Sequence, residues 1–247
     1  MKLKEKYSGE SRIPKNGIVR AAGILYLLII VIGVLNSIFI TARIIDYEDI
    51  NQTVKNITAN DFLFRFGLVC ELILYASVII LSVLLYLILK SVNKNLALVA
   101  MVFRTGEALL GITIVLIGFI VLGLLNNQFN VTSMDNANLN VIMSALLSAR
   151  ANGLYIVLLL IGIGGTLFLY LFYKSSYIPG ILSIWGIFTY LSMLFLSIIS
   201  ILFPEHPDII EIIVYGLGTL FELTFGVWLL IKGLNLNQMN KNNTDPG

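Results

Sequence analysis

The chain has 247 residues, of which 58% are hydrophobic and 12% charged, and its net charge is +2. Soluble domains carry about a quarter charged residues, so this composition, with a mean hydropathy of +0.92, excludes a soluble domain and identifies an integral membrane protein. The small net charge gives no reason to expect nucleic acid as a partner, and the single cysteine, Cys70, excludes an internal disulfide and a cysteine-rich metal site.

A membrane span needs roughly 20 apolar residues, and the chain divides accordingly. Residues 1–17 form a basic leader with Lys2, Lys4, Lys6, Arg12 and Lys15. The apolar run that follows lacks a small-residue cleavage site, so it is expected to be a retained first span at 18–45. A connection with Asp46, Glu48, Asp49, Lys55 and Asp61 is expected outside, and a second span covers 62–89. Lys90-Ser91-Val92-Asn93-Lys94 reads as an inner turn into a long third span that starts near Leu96 and ends near Asn126. The asparagine-rich segment 126–140 is expected outside, with 141–149 as a short amphipathic piece before a fourth span at 150–173. Lys174 to Pro179 turns the chain, on the inside, into a fifth span at 180–203. An outer link, Pro204-Glu205-His206-Pro207-Asp208, leads to a sixth span at 209–231 and a polar tail at 233–247. The expected fold is all-α: a polytopic membrane helix bundle with six transmembrane helices occupying 18–232. Lysines in the leader, both inner turns and the tail place both termini in the cytoplasm by the positive-inside rule. The cytoplasmic membrane is the expected location and its lipid bilayer the first partner.

The ends of three spans look alike: LYLILKS at 85–91, LYLFYKS at 169–175 and, more loosely, WLLIKG at 228–233. Three repeated hairpins would give this pattern, and so would an aromatic belt followed by an inner lysine.

The charges inside the spans carry most of the information. A charge at the centre of a spanning helix costs about 2.5–3.5 kcal/mol and normally faces protein or a cavity. At 1.5 Å per residue, Arg104 in span 3 and Glu222 in span 6 both lie about 15 Å from their inner ends, with Glu107 one turn above Arg104. Arg104 is expected between Glu107 and Glu222, its planar fork holding both, with one carboxylate in excess. Helical spacing puts Glu211, Tyr215, Gly218, Glu222 and Gly226 on one face of span 6, and Glu71, Tyr75, Ser82 and Tyr86 on one face of span 2. Gly111 and Gly118 of span 3 allow close helix approach. Spans 2, 3 and 6 are thus expected to build the charged interior. Two readings stay open: an ion-pair network that fixes helix register, or a carboxylate that takes up a proton or cation. A second set, Arg43, Arg65 and Arg150 with Glu71 and Glu211, lies near the outer ends. It reads as a cup for a carboxylate or phosphate headgroup, or as separate pairs with Glu71, Glu211, Asp46, Glu48 and Asp49.

Enzyme chemistry is not expected. His206 is the only histidine and sits in a proline-flanked link, so neither a histidine metal site nor a Ser–His dyad is expected. No HExxH, GxSxG or P-loop pattern occurs. Gly162-Ile163-Gly164-Gly165 reads as a packing notch, since no strand precedes it. No catalytic residue, metal or cofactor follows.

Arg20-Ala21-Ala22-Gly23 with Tyr26-Leu27, Phe64-Arg65, Ala97-Leu98 with Phe103-Arg104 and Glu107-Ala108, Lys174-Ser175 with Tyr177-Ile178-Pro179, and Glu222 with Trp228-Leu229-Leu230 and Lys232-Gly233 recur in this order. Through them the chain resembles the bacterial membrane family catalogued as domain of unknown function 4386, over about residues 20–233. Gly180 departs from that family's pattern. The resemblance implies a multi-pass prokaryotic membrane protein and carries over no activity, catalytic residue or ligand. Two functions remain: a carrier or channel for a small solute, lipid or ion using a midplane carboxylate, or a non-transporting protein acting through protein partners or lipid sensing.

Overall fold

In lipid, every backbone N–H and C=O must be satisfied within its own segment, so long apolar runs cross as helices. A computed structural model describes residues 15–46, 49–126 and 136–235. Most of the basic leader, Glu48 and nearly all of the tail lie outside the described residues, as does much of the asparagine-rich connection. The helices are α1 (Lys15–Asn36), α2 (Ala42–Ile44), α3 (Ile50–Ala59), α4 (Asp61–Leu89), α5 (Lys94–Leu125), α6 (Asn136–Ser175), α7 (Gly180–Leu202) and α8 (Asp208–Ile231), with a π-helical turn at Ser37–Thr41 between α1 and α2. Six stretches are long and apolar enough to cross a membrane: Asn16–Ile44, α4, α5, Asn138–Ser175, α7 and α8. Large apolar side chains such as Val102, Phe188, Ile181 and Leu220 stay exposed on their outer faces. An apolar surface of this kind contacts lipid.

Two elements differ from the sequence reading. Residues 141–149 are not a separate amphipathic piece, because α6 runs unbroken for 40 residues. No glycine or proline interrupts it there, and Arg150, the charge expected to open a new span, is neutralised within the bundle. At 1.5 Å per residue α6 is about 60 Å long, twice the roughly 30 Å hydrocarbon, so one of its ends extends well past the bilayer. The first connection contains α3, whose Thr53 and Ile57 are buried. Asp49 caps it by accepting from the Gln52 N–H at 3.1 Å, and the Thr53 hydroxyl bonds the Asp46 backbone at both N–H and C=O.

The six spans form a ring in chain order: α4 packs on α5, α5 on α6, α6 on α7, α7 on α8, and α8 closes onto α1, which returns to α4. Closure is tight. A Cβ at Gly23 of α1 would stand 2.7 Å from the Leu230 nitrogen and 2.8 Å from the Gly226 carbonyl of α8, so only a glycine lets these backbones meet. One end of the ring is tied by Tyr177, buried in the α6–α7 turn. Its hydroxyl shares a hydrogen bond with Ser91 of the α4–α5 turn at 3.2 Å, and its carbonyl accepts from the Asn235 N–H beyond α8 at 2.9 Å.

Candidate functional site: a charged cluster inside the ring

The sequence places each charge by its depth, and the ring decides which groups meet. Asn93 starts α5 by accepting from the Leu96 N–H at 2.9 Å, which sets Arg104 about 15 Å along the helix. Three residues on, Glu107 lies on the same face, and its Oε2 is 2.8 Å from Arg104 Nη1. Both residues are buried, at 4% and 2% exposed. The two atoms are close but not aligned, and neither has a hydrogen-bond partner among the described residues.

Room for the guanidinium comes from α6. A Cβ at Gly164 would stand 2.8 Å from Arg104 Cγ and 3.1 Å from the Ala100 carbonyl, while a Cβ at Gly165 would lie 2.5 Å from the Tyr190 ring of α7. The glycine stretch is a packing notch, and it accepts Arg104 on one side and Tyr190 on the other. The Tyr190 hydroxyl donates to Glu222 Oε1 of α8 at 2.8 Å, and Tyr190 and Tyr26 of α1 act on each other electrostatically. Tyr75 of α4 lies over Gly111 of α5, and Glu71 and Glu107 both act on it electrostatically.

The structure therefore joins Arg104 to Glu107 and places Glu222 on Tyr190. Among the described residues no basic group comes within 4.0 Å of Glu222, although Arg104 acts on it from farther away. The expected bridge is missing because α5 and α8 are not neighbours in the ring. All six spans contribute to the interior, not spans 2, 3 and 6 alone. Tyr26 and Tyr190 were not legible as site residues, although each hydroxyl lies about as deep as Arg104, ten or eleven residues into its helix. Tyr215, on the expected stripe of α8, is 41% exposed.

The outer set separates. Arg65 pairs with Asp61 one turn away at 2.6 Å and is half-buried. Arg43 is exposed and lies over the Phe39 ring at 5.9 Å. Arg150 Nη2 reaches both oxygens of Glu71 at 2.6 Å, and its Nη1 donates to the Ile114 carbonyl at 2.9 Å. Gly118, one turn beyond Ile114, makes this approach feasible, because a Cβ there would stand 3.0 Å from Arg150 Nη1. Glu211 accepts from the Tyr155 hydroxyl at 3.0 Å.

His206 corrects the sequence reading. The short link folds back so that its Nε2 shares a hydrogen bond with Ser200 Oγ at 2.6 Å and lies 3.4 Å from Glu211 Oε1. A Ser–His pair thus exists. In a catalytic triad a carboxylate orients the ring through the other nitrogen; here, among the described residues, Nδ1 faces only the Pro207 carbonyl at 3.5 Å, and Ser200 is 3% exposed. Together these contacts tie the C-terminal end of α7 to the first turn of α8.

The family described as "Domain of unknown function (DUF4386)" matches residues 21–233. No curated protein and no solved structure matches.

Proposed function

Since the chain belongs to the DUF4386 family, whose description assigns no activity, we propose from its own geometry that it binds a proton or small cation at Glu222 and carries it across the membrane. The reading rests on one observation: a single arginine is set against two carboxylates at membrane depth, and Glu222 is held by a tyrosine hydroxyl in place of a cation. With Arg104 matched to Glu107, Glu222 is the carboxylate in excess. Ionisable groups at such depth commonly mark ion or proton pathways. We place the protein in the cytoplasmic membrane with both termini inside, as its lysine distribution suggests.

The test is reconstitution into liposomes loaded with a pH-sensitive dye, under an imposed potential, with proton, sodium and potassium gradients in turn. Wild type is expected to pass one of the three. Glu222→Gln is expected to abolish the flux while circular dichroism shows the fold retained. Absence of all three fluxes in folded wild type overturns the proposal. The close seating of Arg104 against Gly164 favours the second reading, a non-transporting membrane protein whose buried charges hold helix register. On that reading Glu222→Gln lowers stability and there is no flux to lose.

A further inference from the structure

The polar interior has an outer end, where the first span leaves the α-helical path. The π-helical turn Ser37–Thr41 widens the helix locally, a device that recurs at functional sites. A cleft of about 10 Å³ lies between this turn and α4, lined by residues that include Asn36, Thr41, Gly67, Glu71 and Arg150. Asn36 is 8% exposed, and its Nδ2 donates to Glu71 Oε1 at 3.2 Å. An ionised carboxylate can only accept, so the amide orientation is fixed. Its Oδ1 is thereby turned towards Gly67, where a Cβ would stand 3.0 Å away. That oxygen has no hydrogen-bond donor among the described residues.

We infer that this cleft binds a single water molecule, which donates to Asn36 Oδ1 and hydrates the outer end of the charged interior. The volume matches one water, and Thr41 and Glu71, on the same cleft, offer the further partners a bound water needs. A cation of that size is disfavoured, because the Arg150 guanidinium, bonded to both Glu71 oxygens, brings its own positive charge to the cleft. A lipid headgroup is too large. The site stands whether or not Glu222 carries an ion.

X-ray footprinting tests it, since radiolysis of a bound water oxidises the side chains beside it. Phe64 and Leu68 line the cleft and are 4% and 0% exposed, while Phe225, equally buried at 0%, lies in the aromatic core. In wild type, Phe64 and Leu68 are expected to be oxidised and Phe225 to stay unlabelled. Gly67→Ala, whose methyl would stand 2.9 Å from Ile40 Cγ2 and 3.0 Å from Asn36 Oδ1 and so compete with the water for that oxygen, is expected to bring Phe64 and Leu68 down to the Phe225 background. Wild-type Phe64 and Leu68 as unreactive as Phe225 would overturn the inference, as would unchanged labelling in a folded Gly67→Ala protein. If that variant does not fold, the wild-type comparison decides alone.

Discussion

A guanidinium 2.8 Å from one carboxylate, with the second carboxylate bonded to a tyrosine hydroxyl, divides its surroundings into a close pair and a more distant partner. Removing one member of a buried pair strands the other charge, at a cost of about 3–5 kcal/mol. Glu107→Gln is therefore expected to lower thermal stability in detergent by about that amount, and Arg104→Met with Glu107→Leu to recover most of it. Simple additivity of Arg104→Met and Glu107→Leu would show the two residues uncoupled. Tyr190→Phe removes the donor of Glu222 and is expected to cost about 1–3 kcal/mol. An unchanged unfolding temperature would mean that the hydrogen bond adds nothing. At this scale Arg104, Glu107 and Glu222 were readable because charge is rare in apolar runs. Tyr190 was not, since a tyrosine in such a run looks like any belt aromatic. Which carboxylate takes the arginine depends on helix neighbours, which residue spacing alone does not set.

Glycines test how the helices fit together. Gly165→Ala drives a methyl into the Tyr190 ring and is expected to destabilise by about 1–3 kcal/mol through overpacking. Gly216 of α8 has nothing within 4 Å of its Cβ position. There Gly216→Ala is expected to gain about 0.5–1 kcal/mol, the helix-interior cost of glycine. Equal effects at the two positions, by thermal unfolding, would contradict the packing described. The π-helical turn makes a sharper prediction. Such a turn contains one residue more than the α-helical path needs, so deleting Phe39, which is exposed, is expected to restore an α-helical turn and leave the protein folded. Deleting Ile30 instead rotates the rest of α1 by about 100° and is expected to abolish folding, as circular dichroism and size-exclusion would show. The turn and α3 were both hidden in the sequence. The π-turn's residues are ordinary span residues, and α3 is short and mostly polar, betrayed only by Ile50, Val54 and Ile57 at helical spacing.

Six spans in series return the chain to the side it started from. Reporters after Gly247 and at Asn93 are expected in the cytoplasm, and one at Asn136 outside; opposite sides for Asn93 and Gly247 would refute the six-span topology. The spans themselves were legible because each exceeds the length that lipid demands and is bounded by lysines, acids, prolines or the asparagine-rich segment at 126–140. The ring was not, since nothing in any one span names its second neighbour. The pairing of α1 with α8 rests on Gly23 and Gly226, each unremarkable in an apolar run.

Closure of the ring through α1 and α8 also sets an order of events during synthesis. At about 5–20 residues per second, the ribosome completes α8 roughly ten to forty seconds after α1 has entered the membrane. Until then the seam between them is open, and Tyr26 has neither Tyr190 nor the Phe225 ring that packs 5.1 Å from it. Arg104 enters the membrane in the same interval, long before Glu222 has been translated. A partner on another, later helix would leave the arginine bare in lipid for that whole time. Glu107, one turn along, is translated directly after it, so the arginine is inserted with its counter-ion already attached, and Glu222 arrives at a site whose charge is already matched.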